Sequence, residues 1–318
     1  MKICLISFDY WGFDQHIIDA LQKQGIEASH INLNDFTYSY PNIISRVSNG
    51  LSKVILDKNI KIIKKQNFVL DKLEKLGHQD IILTIRPDLL DRKTHEIIKT
   101  KTNRYIAYLY DSTKRFPVSH LSKGIFDEIF SFDRDESNYF NFKRISNYIY
   151  LPKKEIDLNA TFKNSVFMVI SKDSRLKTLD AISRKLDDLN IDYKFIVKSN
   201  KDLGNINPKI EWTKNDIGSE EMQNMIEESK IMMDISRSAS TGLSFRVFES
   251  LAYQKKLITT NEAVKRYAFF DPNNILVIDP KNVEIPKKFF ETPYNPVDKD
   301  IYYKYTIENW VKTVFGLI

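Results

Sequence analysis

IMMDISRSASTGLSFRVFESLAYQKKLITTN, residues 231–261, reads as strand, loop, helix and strand in succession. Residues 231–235 are apolar apart from Asp234 and short enough for a buried strand. Residues 236–242 are small and polar, and they interrupt the apolar run. Helical spacing covers 243–253, and a second strand spans 256–260. A helix N-terminus turns unpaired N–H groups and a partial positive charge toward whatever precedes it. Ser240, Thr241 and Gly242 lie immediately before Leu243, so an anion can come close to that end. Arg237 adds a cation to the same loop. Glu249, about two turns along the helix, is an acceptor suited to sugar hydroxyls. The unit predicts a phosphate site with a carboxylate beside it.

The alternation extends outward from this unit. In the first half, strands are expected over 2–8, 27–33, 80–85, 104–110 and 126–132. Helices are expected over 13–24, 41–76, 87–99 and 134–140, with Gly25 and Gly77 closing two of them. A polar, charged stretch, 153–164, follows Pro152 and reads as a linker. The pattern then restarts with a strand over 165–170, a helix over 174–189, strands over 193–197 and 210–212, and a helix over 218–229. A strand over 275–278 closes the series. Such alternation predicts α/β architecture with parallel, doubly wound sheets and ligands at the C-terminal strand ends. The restart divides the chain into Rossmann-like domains over 1–152 and 153–298. The tail, 299–318, carries a helix over 301–315 with Tyr302, Tyr303, Tyr305, Trp310 and Phe315, more aromatic surface than a free tail leaves in water.

Composition narrows the classes. A chain of 318 residues accommodates two domains, each with its own core. Cys4 is the one cysteine, so there is no disulfide framework and no cysteine metal site. The N-terminus does not read as a signal peptide, and no apolar run approaches the ~18 residues of a membrane span. These features fit a cytoplasmic protein. The net charge of +6 invites an anionic partner. No aromatic-basic motif supports nucleic acid. The five histidines lack ligand spacing, and Asp133-Arg134-Asp135 reads as helix capping, so no metal is expected. The 9 glycines include no dinucleotide fingerprint and no phosphate loop of the Walker type, so no cofactor is expected. Residues 42–76 hold seven lysines and Arg46 against Asp57, Asp71 and Glu74, with apolar residues at helical spacing. Such a stretch suits docking on an anionic membrane face; it equally suits a core helix with a solvated lysine face.

Three strand ends in the first domain offer polar groups: Asp9 with Tyr10 and Trp11, Arg86 with Asp88, and Asp111 with Ser112. In a parallel sheet Asp9, Arg86 and Asp111 share one end. Tyr10 and Trp11 can stack on a sugar ring. The competing role for Asp9 and Asp111 is helix capping.

The segment TGLSFRVFESLAYQKKLITTN at 241–261 resembles the donor-binding region of bacterial GT-B glycosyltransferases of lipopolysaccharide-core and capsule biosynthesis. DPNNILVID at 271–279 and SFDRDESNYF at 131–140 resemble the same group. The resemblance covers most of the chain. It implies two Rossmann-like domains facing a cleft and a last helix that crosses back to the N-terminal domain. It also implies a metal-independent sugar transfer from a nucleotide-activated donor to a glycan or glycolipid acceptor. Glu249 matches the glutamate that holds the nucleotide ribose. Thr241 stands where retaining relatives carry a second glutamate. Arg175, with Lys172 or Lys198 as companion, matches the cations that neutralise the donor phosphates; these three also read as solvated cations near a helix start. On the acceptor side the resemblance leaves the base to Asp111 first and Asp9 second, with Arg86 nearby. The alternative reading is a two-domain nucleotide- or sugar-binding module without turnover.

Overall fold

The computed structural model describes residues 1–37, 60–118, 120–121, 123–157, 160–237 and 241–317. The first part of the expected helix 41–76, with Arg46, and Ser240 of the quoted loop lie outside the described residues. The chain divides into two compact units, Met1–Ile145 with Val311–Ile318, and Ser146–Trp310.

The first unit is built on a parallel sheet of six strands: β1 (Lys2–Ser7), β2 (Glu27–Asn32), β3 (Gln79–Ile85), β4 (Thr102–Leu109), β5 (Glu128–Ser131) and β6 (Lys143–Arg144). Their order across the sheet is β2-β1-β3-β4-β5-β6. Helices α1 (Gln15–Lys23), α2 (Ile60–Leu76), α3 (Arg92–Lys99) and α4 (Arg134–Phe140) connect them. Parallel strands joined by helical crossovers are covered on both faces, so their sequences are nearly continuous apolar runs. Ile3 through Ile6 are buried, and Val69 and Leu73 of α2 pack against Cys4, Ile6 and Ile82. The expected helix over 87–99 is two elements. A 3₁₀ turn, Pro87–Leu89, precedes α3, because Asp91 caps α3 by accepting from the Thr94 amide at 2.7 Å.

The second unit repeats the plan with β7 (Asn164–Ser171), β8 (Tyr193–Lys198), β9 (Glu211–Thr213), β10 (Ser229–Asp234), β11 (Lys256–Thr259) and β12 (Ile275–Val277). The order is β12-β11-β10-β7-β8-β9, all parallel. Helices α5 (Leu176–Asp188), α6 (Ser219–Glu227) and α7 (Phe245–Ala252) make the crossovers. Alternation along the strands sorts the core onto two faces. Val166, Met168, Ile231, Met233 and Ile258 pack on one side, and Phe167, Met232 and Leu257 on the other. The quoted stretch has the expected order, but α7 starts at Phe245 rather than at 243. Ser244 turns its hydroxyl to Asp234 Oδ1 at 2.8 Å and stays extended, which sets the helix start.

The chain enters the second unit at Ser146, ahead of the boundary expected at 152. Asn147, Tyr148 and Ile149 are buried there. The tail is not one helix. After the short helix α8 (Lys288–Glu291), the last elements are α9 (Lys299–Lys304) and α10 (Ile307–Phe315). Between them the Ile149 amide donates to Tyr305 O at 2.7 Å, and the Ile307 amide donates to Ile149 O at 2.9 Å. Those bonds replace helical ones and break the run. Helix α10 starts in the second unit, where the Trp310 indole donates to Ser146 O at 3.1 Å. Its last turn belongs to the first unit, where Arg104 of β4 donates to Val314 O at 3.2 Å and Phe315 O at 3.1 Å. A cation on the unpaired carbonyls of a helix C-terminus is a favoured contact. The expected crossing of the last helix is therefore present.

Candidate functional site

Each sheet has one point where the chain's winding reverses, and loops leaving adjacent strands in opposite directions open a crevice there. In the second unit this point lies between β7 and β10. The loop after β7 brings Asp173 and Arg175; the loop after β10 brings Ser236 and Arg237. Arg175 binds Asp173 through Nε and Nη2, at 2.9 and 2.8 Å, and its Nη1 donates to Ile235 O at 3.4 Å. Arg237 Nε reaches Asp173 Oδ2 at 3.3 Å. Burial alone would raise the Asp173 carboxyl, but the Arg175 hydrogen bonds and the Arg237 charge hold it below the ordinary carboxylate range. Two guanidiniums thus converge on one carboxylate at the strand ends.

The loop leading to α7 is anchored from below. Asp234, buried at the end of β10, accepts from Ser244 Oγ and, at 3.1 Å, from Thr259 Oγ1. The Ser236 amide donates to Thr260 Oγ1 at 2.9 Å. Asn261 donates to Gly242 O at 2.9 Å, and Asn147 donates to Leu243 O at 2.8 Å. Thr241 is half-buried and Gly242 buried, both within this anchored approach to α7. The Leu243 side chain is buried in the core, where it packs the loop.

Glu249 lies on α7 and is half-buried. Its Oε1 accepts from the Tyr150 hydroxyl. Burial raises the Glu249 carboxyl above its usual range, and the Arg246 charge pulls it back. Arg246 itself donates to Val169 O at 3.1 Å. Lys172 and Lys198 do not join Arg175. Lys172 donates to Asp202 O, and Lys198 pairs with Asp216. The partner cation of Arg175 is Arg237.

In the first unit the reversal lies between β1 and β3. Asp9 is buried, and its Oδ2 accepts from the Gln15 amide at 3.0 Å, so it caps α1 from six residues upstream. Asp14, 2% exposed, stands beside it. Burial pushes the Asp14 carboxyl up to about 7; the Asp9 charge adds to this, and a hydrogen bond with Ser7 opposes it. Ser7 Oγ also lies 2.9 Å from His30 Nε2, and His30 Nδ1 lies 3.3 Å from Gln15 Oε1. Burial lowers the His30 pKa, against the charges of Asp9 and Asp35. Sequence reasoning named Asp9 and missed Asp14, Ser7 and His30. The available signal was a second acid five residues on, at the start of the same predicted helix.

Asp111 is ion-paired with Arg115 and accepts from the Ser112 amide at 2.9 Å. Arg86 follows β3, and the loop after β4 places Tyr110 within electrostatic reach of Asp14, Arg86, Asp9 and Asp111. Burial, the largest cause, raises the Tyr110 phenol, so it stays protonated. Tyr10 and Trp11 are 50% and 58% exposed and meet edge to face at 4.9 Å. Among the described residues, no group of three or more His, Cys, Asp or Glu side chains is placed to hold a metal ion. No described helix is long and apolar enough to cross a membrane.

No protein-family model and no curated protein sequence matches the chain. Among solved structures, UDP-N-acetylglucosamine 2-epimerase from Rickettsia bellii aligns over 100% of this chain and 95% of its own, at 14% identity and a TM-score of 0.50. UDP-GlcNAc 2-epimerase from Methanocaldococcus jannaschii, solved with UDP-GlcNAc and UDP, aligns over 99% of this chain and 100% of its own, at 12% identity and a TM-score of 0.50. The glycosyltransferase SnogD from Streptomyces nogalater aligns over 99% of this chain and 95% of its own, at 9% identity and a TM-score of 0.41. The two epimerase likenesses, with the sheet orders, establish a GT-B-like fold of two Rossmann-like units.

Proposed function

We propose that this chain is a glycosyltransferase that moves a sugar from a nucleotide-activated donor to a glycan or glycolipid of a bacterial surface polymer, of lipopolysaccharide or capsule type. The convergence of Arg175 and Arg237 on Asp173 carries the reading. A nucleoside diphosphate leaving group departs with growing negative charge, and fixed guanidiniums stabilise that charge most in the transition state. Glu249 is the ribose acceptor in this reading, with Tyr150 as the group that orients it. The nucleotide-sugar chemistry of the two structural neighbours supports the donor class. Asp9 or Asp111 serves the acceptor hydroxyl, and Tyr10 and Trp11 stack on its sugar. A lipid-linked acceptor at the inner membrane face suits α2, where Ile62 and Ile63 are exposed between Lys61, Lys64 and Lys65.

Calorimetric titration with UDP, GDP, CMP and dTDP identifies the nucleotide. Arg175→Ala and Glu249→Ala are each expected to weaken it by about 1.5–3 kcal/mol, the scale of a hydrogen bond to a charged group, with the fold intact. Unchanged affinity in both folded variants removes these residues from the site. Turnover assays then separate the classes. Release of free nucleotide that depends on an acceptor is the expected result. Epimerisation of the donor sugar without acceptor would replace the reading, and tight binding without any turnover would leave a binding module.

Because Arg175 and Arg237 supply the positive charge, transfer is expected to survive EDTA. Activity abolished by the chelator and restored by Mg²⁺ or Mn²⁺ would contradict the assignment of the phosphate-binding groups.

A further inference from the structure

We propose that Arg86, mounted on the Phe116 ring at the C-terminal end of the first sheet, forms with Arg115 a subsite for a carboxylate or phosphate oxyanion carried by the ligand of this unit. Arg86 has φ +59° and ψ +55°, the left-handed region, although it has a side chain and precedes Pro87. Both facts disfavour that backbone, and such outliers persist only where the surroundings hold them. Here the surroundings are a buried polar chain. His95 Nε2 donates to Pro87 O at 2.9 Å, which leaves Nδ1 to accept from the Tyr105 hydroxyl at 2.6 Å. The Tyr105 oxygen in turn lies 2.9 Å from Thr84 Oγ1. The turn is thus fixed from inside the core, and with it the direction of the Arg86 side chain.

The guanidinium is fixed as well. Its Nε and Nη2 bind the two Asp88 oxygens at 2.8 and 2.9 Å, and its centre lies 3.4 Å from the Phe116 ring centroid. One edge and one face are therefore taken, and Nη1 has no hydrogen-bond partner among the described residues. Arg115 lies over the same ring at 4.7 Å and binds Asp111 through Nη1 alone. A shallow recess of about 10 Å³, open to solvent, is lined by Arg86, Asp88, Tyr110, Asp111 and Phe116. An oxyanion would therefore meet the Arg86 edge from the solvent side rather than fill a cavity. Planar, weakly hydrated guanidiniums held in advance suit an oxyanion better than mobile lysines would. Asp88 acts here as the positioning group: it neutralises part of the charge but aims the free edge of Arg86 outward.

The inference deepens the glycosyltransferase reading by naming an anionic acceptor, but its test needs no transfer. NMR titrations of the full chain use glucuronate, glucose 1-phosphate and glucose. At least one of the anions is expected to shift the Arg86 and Arg115 signals saturably, and glucose is expected to leave them unmoved. The stronger anion identifies the oxyanion as carboxylate or phosphate. Asparagine and glycine tolerate left-handed backbone. Arg86→Asn and Arg86→Gly are therefore expected to fold with melting temperatures at or above the parent's, while losing about ten- to a hundredfold in anion affinity. Arg86→Lys, which keeps the charge and loses the fork, is expected to lose nearly as much. Glucose binding as well as the anions, or anion affinity retained in the folded Arg86→Asn or Arg86→Gly chain, overturns the proposal. A protein that binds glucuronate through Arg86 yet transfers no sugar sinks the glycosyltransferase reading and leaves this one standing.

Discussion

Asp14→Asn is expected to make the protein more stable at neutral pH, by up to about 4 kcal/mol, and to remove a fall in stability between about pH 4 and pH 7. The cause is a buried carboxyl raised from 3.8 to about 7 by desolvation, with the Asp9 charge adding to it and Ser7 opposing. Below about pH 4 the folded and unfolded chains both hold the proton, so the group is neutral in both. As pH rises toward 7 the unfolded chain releases the proton and the folded chain keeps it, so stability falls. Above about 7 both are ionised, and the loss is complete. Asparagine has the same shape and no charge to desolvate. Other groups titrate in the same range; Asp91, Asp173 and Asp187 are held low in the fold and work in the opposite direction. The difference between variant and parent, measured by denaturant unfolding from pH 4 to 8, isolates Asp14. Parallel stability curves would show that Asp14 ionises as freely in the fold as outside it.

Trp310→Ala is expected to cost about 3–5 kcal/mol, the range for deleting a buried large aromatic. Trp310 is 3% exposed, and its indole N–H is bonded to Ser146 O. Its ring lies 4.9 Å from that of Tyr148. Truncation removes the apolar contact, leaves a cavity and breaks the indole hydrogen bond in one step. The same helix ends on Arg104, so Arg104→Met is expected to cost less: the carbonyls it frees are only part-buried, and Glu128, its ion-pair partner, keeps Lys143. Thermal melts of the two variants check the ranking. A Trp310→Ala chain that melts within a degree or two of the parent would mean that the indole contributes little packing.

Much of the second unit's candidate site was legible because its parts are close in sequence. Ser171 to Arg175 follows one strand, and the run to Glu249 follows another. A loop of small residues before a helix leaves room for an anion at the helix N-terminus. The partners were not legible. Tyr150 meets Glu249 across ninety-nine positions, and Arg175 takes Arg237 rather than Lys172 or Lys198 as its companion cation. Nothing local distinguishes a lysine that binds a phosphate from one that binds Asp216. The first unit shows the same limit. Ser7, Asp14 and His30 meet because β1 and β2 pair in parallel with Ser7 opposite Asn32. That register places His30 beside Ser7, and no spacing along the chain announces it.

Strand and helix alternation was set by the sequence alone, since a parallel strand covered on both faces is largely apolar, and Ile3–Ile6 or Ile231–Met233 can be little else. The restart after Pro152 likewise announced a second sheet. The tertiary structure decided where these regularities stop. Helical spacing continues through 301–315, but the Ile149 backbone takes the groups of Tyr305 and Ile307 and splits the run. The left-handed turn at Arg86 is held by His95 and Tyr105, which come from elsewhere in the chain. Hydrophobic period is a property of neighbours along the chain and can be read from them. Backbone strain, shared protons and ion-pair choice depend on groups brought together only by the sheet, so they exist only once the sheet has formed.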